Sequence, residues 1–167
     1  MPYLLRGIRK TRWLSDPSRT WLPVNEVPAD CLGDLQTTDC ELSVWVVERD
    51  RSNLARVVTA LAATRDTLSE FSYRLVPIEW VKRHRLQLNP TPGETPDEEA
   101  NDRWHGDLQY LSGVRLVSLA RCMWHRGELA RITESRMKIL LSEGVQSHQL
   151  DATKLKPGLA QKLGLIS

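Results

Sequence analysis

The polarity pattern is most regular between Leu42 and Val76. Leu42 to Val47 (LSVWVV) is a near-continuous apolar run rich in β-branched residues. Such a run fits a strand covered on both faces. Glu48 to Arg51 break it. Asp50 or Ser52 can cap a helix there, because a short side-chain oxygen accepts from the open N–H groups of a first helical turn. Leu54, Val57, Val58, Leu61 and Ala62 then recur at helical spacing. They predict an amphipathic helix over about Asn53–Arg65. Phe71, Tyr73 and Leu75 alternate with Ser72 and Arg74, which predicts a half-buried strand to Val76. Strand, helix and strand have the length of a βαβ unit, with a parallel crossover as one arrangement and an antiparallel one as the other.

Tyr3 to Ile8 reads as a further strand of the same sheet. The stretch Leu14 to Thr38 is loop-rich, with Pro17, Pro23, Pro28 and Gly33, and Pro28 can open a short helix from Ala29. Pro77 opens another short helix through about Lys82. Asn89 to Pro96 (NPTPGETP) is the clearest linker, three prolines and one glycine among turn formers. The division expected is a sheet-bearing part over 1–88, a linker over 89–96 and a helical part over 97–167, all within one compact domain.

Beyond the linker, Thr95 or Asp97 caps a helix whose first turn is acidic, as the helix dipole favours. Its apolar stripe is Trp104, Leu108 and Leu111. Gly113 is expected to kink or interrupt that helix and Gly127 to end it. Ser135 to Glu143 reads as a helix stopped by Gly144, and Lys156 to Leu163 as a short terminal one. The fold class expected is α+β: a small mixed sheet packed on an amphipathic helix, with a helical C-terminal half.

Composition changes this picture little. The 167 residues suffice for one domain with a real core. A net charge of +2 does not by itself imply a nucleic-acid or membrane partner. No stretch has the length and apolarity of a membrane span, and MPYLLRGIRKTRW carries charges where a secretory signal is apolar. Three cysteines without close pairs suggest a reduced, cytoplasmic protein. Six tryptophans against one phenylalanine are unusual, and their dispersal favours a shared core.

Candidate chemistry is sparse. Glu98, Asp102 and His105 fall at i, i+4 and i+7 of one expected helix, where two carboxylates and an imidazole could serve acid–base or metal chemistry. An acidic first turn explains the same residues without any chemistry. Cys31, Cys40, Cys122 and His125 form a zinc set only on paper, since the short knuckle spacing is missing. Lys82, Arg83, His84 and Arg85, with Arg6, Arg9, Lys10 and Arg12, could form a phosphate-binding patch beside Trp80. The bland alternative is a solvated helix end. The segment from His125 to Asp151 has a helix–turn–helix texture, a permissive pattern most often met in plain packing units. No Walker loop, G-x-S-x-G elbow, G-x-G-x-x-G or H-E-x-x-H occurs, and no cofactor or metal is expected.

The first functional expectation is a cytoplasmic, non-catalytic binding protein acting through a protein partner, as an accessory, adaptor or antitoxin-like subunit, with Trp21 as an interface anchor. The alternative is a phosphate- or RNA-directed enzyme, metal-assisted through Glu98, Asp102 or His105, or a nucleic-acid-binding protein. The oligomeric state is left open.

Overall fold

The computed structural model describes residues 1–9, 13, 23 and 26–166. Lys10, Arg12 and Trp21 lie outside the described residues. The fold is α+β. Its elements run β1 (Tyr3–Ile8), α1 (Ala29–Leu32), β2 (Leu42–Val47), α2 (Leu54–Ala62), β3 (Phe71–Pro77), α3 (Glu79–Arg83), β4 (Gln87–Pro90), α4 (Glu98–Trp104), β5 (His105–Gln109), α5 (Gly113–Arg126), β6 (Glu128–Ile132), α6 (Glu134–Gln146) and α7 (Pro157–Lys162).

The strands form one six-stranded sheet in the order β4-β5-β2-β1-β3-β6. Every adjacent pair is antiparallel, so the expected mixed pairing is replaced by a uniform one. The reason is β1. It slots between β2 and β3, pairing Leu5 with Trp45 on one side and with Leu75 on the other. β2 and β3 therefore run parallel to each other without touching, and α2 connects them across the intervening strand. β5 and β6 belong to the part expected to be helical, yet β5 pairs with β2 and β6 with β3. One sheet thus runs through both sides of the proline-rich stretch, and β4 takes in its first two residues, Asn89 and Pro90.

Side chains alternate across the sheet and create two cores. Leu4, Ile8, Leu42, Val44, Val76 and Leu108 face α1, α3 and α5. Leu5, Trp45, Val47, Phe71, Tyr73 and Leu75 face α2, α4, α6 and α7. The result is three layers, helix on sheet on helix. Trp13, Trp45, Trp80 and Trp124 are buried in these cores.

Several element boundaries differ from the sequence pattern. α4 stops at Trp104, and His105 opens β5. Leu108 is the inward residue of that strand, held between β2 and β4, where the pattern suggested a helical stripe. Gly113 does not interrupt a helix; it is the first residue of α5, behind the cap Ser112. Gly144 lies inside α6, where a side chain would press on Leu150, its Cβ 3.0 Å from that residue's Cδ1.

Candidate nucleic-acid interface

α3 is a single turn and a half with a clear division of labour. Trp80 and Val81 are buried against the sheet, while Lys82, Arg83, His84 and Arg85 are exposed. His84 closes the helix. Its ring stacks on Trp80 with centroids 4.0 Å apart and an interplanar angle of 20°, and its Nδ1 lies 2.9 Å from the Trp80 carbonyl oxygen. Arg85 then takes a left-handed conformation, φ 52°, which turns the chain into β4.

α5 buries Leu119, Ala120, Cys122, Met123 and Trp124 and exposes Val114, Arg121, His125 and Arg126. The Ser112 hydroxyl accepts from the Arg115 N–H, and the Gly127 N–H returns to the Cys122 carbonyl. α3 leads from the Pro77 end of the sheet to Gln87, and α5 leads from beyond Gln109, the partner of Gln87, to Glu128, beside Leu75. The two helices therefore cross the same face in opposite directions. Burial pushes the Cys122 thiol up to about 11, against the opposing pull of Arg126 from its own helix and Arg83 from α3.

The charge on these two helices is one-sided, while α1, packed beside α5 on the same face, carries the exposed Asp30. Residues 79–85 and 113–126 carry six cations, Lys82, Arg83, Arg85, Arg115, Arg121 and Arg126, against the single acid Glu79. That is a local net charge of +5 in a chain of net +2, which leaves the rest at −3. One oxygen of Glu79 is buried and, among the described residues, unpartnered. Arg115 donates to the Tyr110 carbonyl oxygen. Among the described residues, the side chains of Lys82, Arg83, Arg85, Arg121 and Arg126 make no hydrogen bond or ion pair. Elsewhere Arg51, Arg56, Arg103, Arg131 and Lys154 each hold a carboxylate, while the exposed Arg49, Arg136, Lys138, Lys156 and Lys162 make no side-chain hydrogen bond or ion pair among the described residues. Tyr110, 65% exposed, adds an aromatic ring before the first turn of α5.

No protein-family model, curated protein or solved structure matches the chain. Its function is therefore inferred from its own geometry.

The expected basic patch is divided in space. Lys82, Arg83 and Arg85 belong to the α3–α5 face. Arg6 and Arg9 instead line a separate cleft with Arg65 of the α2–β3 connection. Arg115, Arg121 and Arg126 were not singled out by sequence, although the absence of any acid over 113–126 was a readable signal.

Glu98, Asp102 and His105 do not share one helical face. Glu98 and Asp102 flank a cavity of about 530 Å³ together with Lys154 and Lys156, and Glu98 is paired to Lys154 at 2.6 Å. His105 faces β2 instead. Its ring meets Trp45 edge-on at 5.1 Å, and its Nδ1 is 2.9 Å from the Thr91 carbonyl oxygen. Cys31 and Cys122 are buried and Cys40 is exposed. Among the described residues no three His, Cys, Asp or Glu side chains converge as metal ligands. No helix among them is long and apolar enough to cross a membrane.

Proposed function

We propose that the protein binds nucleic acid through the α3–α5 face, with the sugar–phosphate backbone as the ligand. The observation that carries this reading is the charge of two helices on one face of the sheet, six cations against the single acid Glu79, with five of those cations exposed and without a carboxylate partner among the described residues. Exposed charges that serve only solubility are normally interspersed with the opposite sign. A predominantly cationic helix pair raises the local concentration of a polyanion and releases its counterions on contact. The exposed Tyr110 ring and the His84 ring backed by Trp80 offer surfaces on which an unpaired base can stack. A protein partner anchored by tryptophan gains no comparable support. Trp21 is outside the described residues, and of the other five only Trp104 is even half-exposed.

The test is fluorescence anisotropy with labelled single- and double-stranded DNA and RNA at several salt concentrations. Neutralising up to six phosphates predicts affinity falling by about 10³-fold between roughly 50 and 200 mM salt. The double variant Arg83→Glu, Arg121→Glu changes only exposed side chains and should melt like the parent. Its salt slope is expected to be shallower by about 2. Binding that ignores both substitutions, or no binding at low salt, would sink the proposal. Displacement of the nucleic acid by polyglutamate at equal charge would do the same, because it would point to an acidic protein.

A further inference from the structure

A second basic feature stands apart from α3 and α5 and is independent of nucleic-acid binding by that face. Arg6, Arg9 and Arg65 converge on a cleft of about 260 Å³ whose floor includes Gly7, Leu61 and Phe71. Two chain segments supply them. Arg6 is in β1, Arg9 follows it, and Arg65 lies just beyond the end of α2.

Two of the three guanidiniums are fixed by the backbone. Arg6 donates through Nε and Nη2 to the Asp34 carbonyl oxygen, at 3.3 and 3.0 Å, and through Nη1 to the Ser43 carbonyl oxygen at 2.7 Å. Arg65 donates through Nη1 to the Ser69 hydroxyl and the Glu70 carbonyl oxygen, and its guanidinium lies 4.5 Å over the Phe71 ring. These bonds hold each fork rigidly. Among the described residues, Arg65 Nε and Nη2 and the whole Arg9 side chain meet no acceptor. Gly7 keeps the floor open, since a Cβ there would stand 3.3 Å from Phe71 Cζ.

The cations also feel one another. Burial lowers the pKa of both Arg6 and Arg65, and the Arg9 charge lowers each further. Among the described residues a single carboxylate, Asp34, lines the cleft, and it accepts the Arg9 backbone N–H at 2.8 Å. Among the described residues, three cations and one carboxylate leave a local excess of two positive charges.

We propose that this cleft binds the terminal phosphate of a phosphomonoester, held by Arg9 and Arg65 with Arg6 behind them. The charge selects the chemistry. A phosphomonoester carries close to two negative charges at neutral pH and three acceptor oxygens, which matches the excess and suits forked guanidinium donors. A backbone phosphodiester carries one charge and would leave half of that excess unmatched. The phosphate can come from a small metabolite or from the 5′ end of a nucleic acid.

The experiment is isothermal titration of the full-length chain with inorganic phosphate, with chloride as the control. Saturable binding is expected, weakened at least about tenfold, or 1.4 kcal/mol, in Arg9→Gln. Arg9 is exposed and its side chain supports nothing among the described residues, so this variant should keep the parent melting temperature. Arg65→Gln is the second variant and should weaken binding likewise. No saturable phosphate binding, or equal binding in both variants, overturns the proposal. A 5′-phosphorylated oligonucleotide binding more tightly than its 5′-hydroxyl twin in the Arg83→Glu, Arg121→Glu background identifies the nucleic-acid end as the source. Equal binding of the twins identifies a small phosphomonoester. A failure here leaves salt-sensitive binding by the α3–α5 face intact, so the two proposals fall separately.

Discussion

Asp97→Ala is expected to lower the unfolding free energy by about 3 kcal/mol, the usual cost of breaking a buried ion pair from one side. For a chain of this size that corresponds to a melting temperature lower by roughly 10 °C. The Asp97 side chain is fully buried. Its two oxygens accept from Arg56 Nε and Nη2 at 2.7 and 2.8 Å, from the Ala100 N–H at 2.9 Å and from Gln149 Nε2 at 3.1 Å. One carboxylate thereby caps α4 and ties it to α2 and to the turn after α6. Removing it leaves Arg56 with only its Nη1 bond to Glu99 and takes the acceptor from the first turn of α4 and from the Gln149 amide. Asp97→Asn keeps an oxygen for the Ala100 N–H and should recover part of the loss.

The same carboxylate sets an acid limit. Burial alone would raise the Asp97 pKa, but the bonds from Arg56, Ala100 and Gln149 outweigh it and hold the group below the usual carboxylate range. A depressed folded-state pKa means that the unfolded chain binds the proton more readily. The stabilisation is then complete above the unfolded value of about 3.9 and is lost as pH falls through the folded value. Thermal melts from pH 6 down to about pH 3 should therefore fall more steeply for the parent than for Asp97→Asn. Parallel curves would show that the carboxylate does not set the limit.

Arg74→Ala is expected to cost about 4 kcal/mol, since it combines a core cavity with lost charge-assisted hydrogen bonds. Arg74 is 5% exposed, has no carboxylate partner among the described residues, and donates instead to three carbonyl oxygens. These are Trp13 O at 2.6 Å, Gly127 O at 2.9 Å and Trp124 O at 3.4 Å. Its guanidinium also lies 6.0 Å from the Trp13 ring and 5.8 Å from the Trp124 ring. The side chain pins the end of α5 and the Trp13 segment to the centre of β3. Arg74→Met restores most of the volume but none of the donors, so its stability should fall between parent and Arg74→Ala. Denaturant melts followed by tryptophan fluorescence check both. A change below about 1 kcal/mol in Arg74→Ala would show that the carbonyls find water instead.

The first three strands were legible because their apolar content is high and local. Tyr3–Ile8 and Leu42–Val47 match the structure, and the third strand runs one residue further, to Pro77. α2 declared itself through its stripe but ended three residues earlier than the pattern suggested, at Ala62. β4, β5 and β6 were not legible. Each has four or five residues, and β5 offers one fully buried large side chain, Leu108. Such strands exist because a neighbour presents an open edge, which is not a property of their own sequence. The same holds for Arg65. Nothing local distinguishes it from Arg56 or Arg49, and only the fold sets it beside Arg9. Arg74 read as the outward residue of a half-buried strand, and a helix on that face, α5, turned the position inward.

The placement of β1 has a kinetic consequence. It is the earliest strand in the chain and occupies the middle of the sheet, where Leu5 meets Leu75, about 70 residues later. Neither the β4-β5-β2 group nor the β3-β6 group touches the other except through it. A growing chain can pair β1 with β2 first, but its other edge stays open until β3 exists, and this long-range pairing raises the mean sequence separation of native contacts and slows folding. During that interval β1 is an apolar strand with an open edge, the segment through which a second chain would most readily intrude.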